Sequence, residues 1–299
     1  PPPAAPGRRK ARLFGLAKFV LSAALVVWLV QGVDTAALGA RLQAASPATL
    51  VLAGALELVA ILVLAVRWRM VLATLGLVMP YVTALRLSYI GLFINQVLPA
   101  NVGGDVYRVW HVFRDAGQLM RALMAVALDR LVALVGLALL AVPGIFVMFH
   151  LTADRVPVLV LIAMVGSIAA GTSIFLALGS PALRRRVPGL GYLSRVLSWV
   201  TEAATLGRAV FLAPGPALKV IGASVIGHGL AVAALLVLAQ GLNISLGIGA
   251  ALALVPPVIL VSVMPVSYGG WGLREGAMAI FLGFAGVAPV DAISLSLLF

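Results

Sequence analysis

The chain has 299 residues, 63% of them hydrophobic and 10% charged, with a mean hydropathy of +1.16. Soluble domains carry about 45–50% apolar and about 25% charged residues, so a water-soluble globular fold is excluded. The 21 Lys and Arg against 9 Asp and Glu leave +12, but no basic groove interleaved with stacking aromatics is evident and the basic residues fall between apolar runs. That pattern points away from nucleic acid and toward orientation in a membrane. With no Cys and three isolated histidines, His111, His150 and His228, disulfides, thiolate sites and Cys nucleophiles are excluded; no metal and no cofactor is expected.

Residues 1–12, with Arg8, Arg9, Lys10 and Arg12, read as a cytoplasmic basic tail, and 13–299 as one membrane domain. A spanning helix needs about 20 apolar residues. The first is expected over about 13–30, with Lys18 able to snorkel. The second covers about 49–66, started by Ser46-Pro47 and closed by Arg67 and Arg69. Further spans are expected over about 121–149, 156–179 and 217–240, and a last one from about Asp291 is cut off by the chain end. Between the fourth and fifth, about 180–216 reads as a cytoplasmic linker with a surface-lying amphipathic stretch, carrying Arg184, Arg185, Arg186, Arg195 and Arg208. Asp34, Arg41 and Asp154 read as solvated loop charges.

Two apolar stretches depart from this pattern. Residues 81–98 include Arg86, Asn95 and Gln96 and end at Pro99; residues 248–263 are broken by Pro256-Pro257 and end at Met264-Pro265. A glycine-rich loop follows each. The positive-inside rule puts Arg8 to Arg12, Arg67 with Arg69, Arg108 with Arg114 and Arg121, and Arg184 to Arg186 in the cytoplasm, with Arg41 and Arg155 outside. That holds only if about 81–117 enters from the cytoplasm and returns, as a re-entrant pair. The two loops share the pattern P-x-[NS]-x-G-G-x-x-x-R, from Pro99 to Arg108 and, 166 residues on, from Pro265 to Arg274. The same offset carries the second span onto the fifth and the third onto the last. The expected fold is therefore all-α, a polytopic membrane helix bundle of two inverted units, about 49–149 and 217–299, each with a re-entrant broken-helix loop. Paired interrupted segments in inverted halves point to a transporter site near the midplane. In a chain with 31 Gly and 17 Pro a short gapless match can also arise by accident, against which the agreement of the flanking spans argues.

Non-helical backbone at membrane depth must line a cavity or be buried in protein. Gly103-Gly104 and Gly269-Gly270 can expose N–H groups that converge on an anion, with Arg108 or Arg274 as a bidentate phosphate clamp. Asn95, Gln96, Asn101, Ser267 and Tyr268 would add neutral hydrogen bonds to a lipid headgroup. The competing reading is that the glycines serve close helix crossing and Arg108 anchors topology. Ionisable residues in spans are functional candidates by default: Glu57, Asp105, Asp129, Arg130 and Glu275 are assigned gating or charge pairing. Asp105 with Arg130 and Asp129 with Arg108 are the expected cross-pairs. Glu57 is a proton-coupling carboxylate or a satisfied buried acid; His228 is a packed polar contact ahead of a proton relay.

The stretches N-Q-V-L-P-A-N-V-G-G-D-V-Y-R (Asn95 to Arg108), L-D-R-L (Leu128 to Leu131) and M-P-V-S-Y-G-G-W-G-L-R-E-G (Met264 to Gly276) resemble signature segments of the lysylphosphatidylglycerol synthase transmembrane-region family. The similarity covers most of the chain in order and spacing. It departs at Asp129, where the family often has Glu, and at Tyr268 and Trp271, which make the second loop bulkier. The resemblance implies a flippase-like membrane domain, which in that family stands alone or is fused to aminoacyl-transferase or glycosyltransferase modules. No aminoacyl-transferase module lies in these 299 residues, so synthesis of a modified lipid is not implied.

The function expected is a lipid flippase that binds an anionic phospholipid or a lipid-linked phosphate such as a polyprenyl phosphate and moves it between leaflets. Two other readings remain open: an accessory membrane subunit scaffolding a glycosyl- or aminoacyl-transferase, and a lipid-modifying membrane transferase. No catalytic residues are assigned, because no nucleophile, base and orienting group occur at a recognisable spacing. Expected partners are membrane lipids, a lipid-modifying transferase and, through small residues such as Gly136 and Gly227, a second copy of the chain. The expected location is a bacterial cytoplasmic (inner) membrane, N-terminus inside.

Overall fold

The computed structural model describes residues 34–97, 102–181, 191–264 and 270–299, together with Val20, Ala24, Val27 and Ser267. Apart from Val20, Ala24 and Val27, the expected first span lies outside the described residues, as do the basic tail, Asn101, Tyr268, Gly269 and Arg184 to Arg186. Those described form eleven helices, without strands.

A short helix, α1 (Thr35–Gln43), starts where the Asp34 carboxylate accepts from the N–H groups of Ala36 and Ala37 at 2.9 and 3.1 Å. Asp34 is thus a helix cap rather than a loop charge. The 28 residues of α2 (Pro47–Thr74) begin with Pro at the first turn, where its missing N–H costs nothing. The helix runs on past Arg67 and Arg69, and closes with left-handed Gly76 and a bond from Leu77 N to Leu72 O at 2.9 Å. The shorter α3 (Tyr81–Val97) and α4 (Gly103–Ala116) form a hairpin whose second arm stops at left-handed Gly117. Gly91 and Gly104 let the two arms meet backbone to backbone; a Cβ on Gly104 would collide with the Gly91 carbonyl.

Next come α5 (Leu119–Leu151) and α6 (Val156–Leu178), of 33 and 23 residues. Asp154 accepts from Val156 N at 2.9 Å at the start of α6, again a capping role. The linker holds α7 (Gly191–Phe211), which buries Thr201, Ala204 and Val210 and leaves Trp199 exposed. A Cβ on Gly179 would meet its backbone at Ala204, so α7 is docked closely on the end of α6. Then follow α8 (Pro214–Gly241), α9 (Ile248–Val263), α10 (Leu273–Gly283) and α11 (Pro289–Leu298). The expected break at Pro256-Pro257 does not occur: α9 is continuous through both prolines. Each proline removes one rung, but the face from Ala250 to Val258 is almost wholly buried, and Ala253 lies against Gly144 of α5. Packing between helices holds what the missing N–H groups would have held.

Helices α2, α5, α6 and α8 are long and apolar enough to cross a membrane; α3 and α9, with 17 and 16 residues, reach only about 25 Å of the roughly 30 Å needed. At the centre α2 and α8 pack in opposite directions. Thr49, near the start of α2, lies against Gly241 at the end of α8, and Arg67, the twenty-first of 28 residues of α2, meets Ser224, the eleventh of 28 in α8. One apolar core joins α5, α8 and α9 around Met148, Leu235 and Leu254. A second surrounds Trp68, Leu87 and Leu128, and the charged residues lie on its flank.

Candidate functional site

Position 67 is the twenty-first of α2, deep enough to be wrapped by α4, α5 and α8, and Arg67 is only 7% exposed. Its Nε donates to Asp129 Oδ1 at 3.0 Å and its Nη1 to Ser224 Oγ at 3.1 Å. Asp129, 1% exposed on α5, also accepts from Arg108 Nη1 at 3.1 Å on its other oxygen. One carboxylate therefore bridges two guanidinium groups from two different helices. The next residue, Arg130, points about 100° further round α5 and donates its Nε to Asp105 Oδ2 at 2.8 Å. Asp105 sits one turn before Arg108 on α4, 3.7 Å from its Nη1. Both cross-pairs expected from the sequence are present in this network, with Arg67 as an additional member. The Arg108 guanidinium lies over the Trp68 ring at 3.8 Å, a cation–π contact in which a planar guanidinium can also stack.

These residues wall a cavity of about 240 Å³. Ser88, Gly91, Asn95 and Gln96 enter from α3, Ser262 and Val263 from α9, and Arg274 from the start of α10. Four arginines face two aspartates across it. Arg108, 7% exposed, keeps its Nε and Nη2 buried without a hydrogen-bond partner. Unmade hydrogen bonds on a buried charge are costly, so these donors are suited to an anion entering the cavity. A second cavity of about 450 Å³ shares the wall made by Leu64, Arg67, Leu92, Arg130, Ala133 and Val263. Its remaining lining is mostly Ala, Ile and Leu, with Glu57, Ser224 and His228 as the polar exceptions. A polar chamber thus opens beside an apolar one.

The loops contribute unequally. At the first, Gly104 N–H donates to Asn95 Oδ1 at 2.8 Å, so an internal amide takes one of the groups that an anion cradle would need, and Asn95 organises the hairpin. Gln96 and Gly104 line the polar cavity, while Gly103 opens α4. At the second, Gly270 and Gly272 adopt positive φ of 82° and 80°. Glu275 accepts from Gly272 N at 2.6 Å, the glutamate half of a capping box, and from Ser296 Oγ at 3.2 Å. Arg274 Nη2 lies 3.1 Å from the same carboxylate. Ser267 is fully buried with its Oγ unpartnered and does not line the cavity. His228 Nε2 is 3.0 Å from the Ala133 carbonyl, which only accepts, so that nitrogen carries the hydrogen.

Arg67 and Ser224 escaped the sequence reading, Arg67 because it ends an apolar run and looked like a topology charge. Trp68 between two arginines at that boundary was the available signal. Among the described residues no group of three His, Asp or Glu is placed to hold a metal ion.

Four apolar helices of spanning length around a buried ionic network define an α-helical integral membrane protein. The chain belongs to the family described as the lysylphosphatidylglycerol synthase TM region, whose sequence model matches residues 15–299. No curated protein and no solved structure matches it.

Proposed function

We propose that the chain is a lipid flippase that takes an anionic phospholipid or lipid-linked phosphate into the arginine-lined cavity and transfers it between leaflets. The observation that carries this reading is Arg108: buried, held by Asp129 and Trp68, with two guanidinium nitrogens lacking a hydrogen-bond partner in the wall of a polar chamber that adjoins an apolar one. The free donors suit a phosphate, and the adjoining chamber suits the start of an acyl or isoprenoid tail.

The same reading makes the fold two inverted units with re-entrant hairpins. Its support is a repeat in the helix boundaries. Pro47 and Pro214 start α2 and α8, Tyr81 and Ile248 start α3 and α9, and left-handed Gly76 and Asn243 close the central helices, each pair 167 residues apart. The cap bond from Leu77 to Leu72 returns as Ile244 N to Ala239 O at 2.8 Å. With one residue fewer in α9 than in α3, the loops fall back to the offset of 166. The antiparallel contact of α2 with α8 is what inversion requires, and α3 and α9 are too short to span. A bacterial inner membrane with the N-terminus inside is part of this proposal.

Reconstitution into vesicles of anionic phospholipid with a trace of headgroup-labelled lipid tests it. Arg108→Ala should slow leaflet exchange at least about tenfold, the equivalent of one charge-assisted hydrogen bond of about 1.5 kcal/mol. Arg69→Ala, which loses only a bond to the Met79 carbonyl and a distant contact with the Tyr81 ring, should stay within about twofold of wild type. Equal exchange by wild type and Arg108→Ala refutes the assignment.

A further inference from the structure

One acid inside a membrane span, half-buried Glu57, belongs to none of the ion pairs described. Glu57 is the eleventh of the 28 residues of α2, about 15 Å along a helix about 42 Å long and so well inside the span. Its Oε1 is buried without a partner, and among the described residues Glu57 forms no hydrogen bond or ion pair. It faces the apolar cavity. The charged and titratable groups on that cavity are Arg67 from α2 itself, Arg130 from α5 and His228 from α8; α3 and α9 contribute only Leu92, Ile259, Leu260 and Val263. Arg67 is bound to Asp129, Arg130 to Asp105, and His228 donates to Ala133.

The helix register sharpens this isolation. In the antiparallel contact that sets Ser224 against Arg67 and Gly241 against Thr49, residue 57 falls opposite Ala234, which is wholly buried. The boundary repeat of 167 makes Glu57 the counterpart of Ser224, whose hydroxyl accepts from Arg67, whereas Glu57 has no such partner. A charged carboxylate at that depth without a partner is strongly disfavoured. A structural acid would have its partner in place.

We propose that Glu57 is a proton-carrying site: its carboxylate takes one proton when the cavity opens to one side of the membrane and releases it on the other, coupling lipid movement to the proton gradient. This rests on the flippase reading. In this proposal Glu57 crosses as the neutral acid and exchanges its proton where the cavity meets water.

The wild-type protein in vesicles of anionic phospholipid, with the membrane potential clamped, provides the test. If one proton travels with each lipid, the steady-state leaflet ratio of a labelled anionic lipid shifts on the order of tenfold per unit of imposed pH difference. Glu57→Gln, which preserves the shape, should give the same ratio with and without the gradient. Infrared spectra at neutral pH should show the carbonyl stretch of a protonated carboxylic acid in the wild type and not in Glu57→Gln. Lipid exchange that ignores the gradient overturns the proton site and leaves the flippase reading standing, whether or not the variant folds. Identical carboxylic-acid bands in the two proteins also overturn it. No exchange by the wild type overturns the flippase reading, and this inference falls with it.

Discussion

The hairpins α3–α4 and α9–α10 carry an arginine at matched positions, Arg108 and Arg274, and use it in opposite ways. Arg108 reaches out of its hairpin to Asp129 on α5 and onto Trp68 on α2, while Asp105 holds Arg130. Arg274 stays close to home on Glu275, which closes the start of α10 and reaches Ser296. At the loop offset of 166, the counterparts of Asp129 and Arg130 are Leu295 and Ser296. An ionic network therefore ties the first hairpin to the bundle, and a cap and a hydroxyl tie the second. The same loop motif thus leads into an ionic network at the first hairpin and into a folded corner at the second, where Arg274 still lines the polar cavity.

The comparison breaks most visibly at its two carboxylates. Asp129→Ala leaves buried Arg67 without a carboxylate partner and Arg108 with only the more distant Asp105, and breaking such a buried pair costs about 3–5 kcal/mol. Glu275→Gln keeps the shape and one acceptor, so its cost should be nearer that of a lost helix cap, about 1 kcal/mol. Thermal or denaturant unfolding of the two variants in the same detergent checks the order. Similar losses would mean that the two hairpins are held equally.

A second contrast lies in the glycines. A Cβ on Gly104 meets the Gly91 backbone, which cannot rotate aside, and overpacking of this kind costs about 1–3 kcal/mol. Gly270→Ala must instead adopt a positive φ, for about 1–2 kcal/mol. The two differ in consequence as well. Gly104→Ala should also slow lipid exchange, because pushing α4 away from α3 moves Arg108; Gly270→Ala should lower stability alone. Exchange assays beside unfolding curves separate them.

How much of this was legible in the sequence follows from distance along the chain. Spans of 20 or more apolar residues announce themselves, and α2, α5, α6 and α8 lie where composition put them. The pairing of Asp105 with Arg130 could be anticipated because both charges sit in apolar surroundings 25 residues apart. Arg67 could not: its partners Asp129 and Ser224 are 62 and 157 residues away, and nothing local distinguishes a buried arginine at the end of an apolar run from one at the membrane surface. Asp34 and Asp154 looked like loop charges because a cap is defined by the next few backbone N–H groups, which exist only once the helix does. The prolines of α9 misled for the opposite reason: the local rule was sound, and burial against α5 outweighed it.

The smallest effect concerns the attachment of α11. Arg41 Nε lies 2.9 Å from Asp291 Oδ1, with the arginine side chain 44% exposed, so the pair contributes no more than about 1 kcal/mol. Asp291 has a further role in the first turn of α11, where its negative charge meets the positive end of the helix dipole. Asp291→Ala should therefore cost more than Arg41→Ala, by about 0.3–1 kcal/mol. The coupling between the two, measured in a double-mutant cycle, should fade in molar salt while the larger share of the Asp291 effect persists. A coupling that ignores salt would place this pair in a buried setting like that of Asp129, and the second half of the molecule would then be held by ions as firmly as the first.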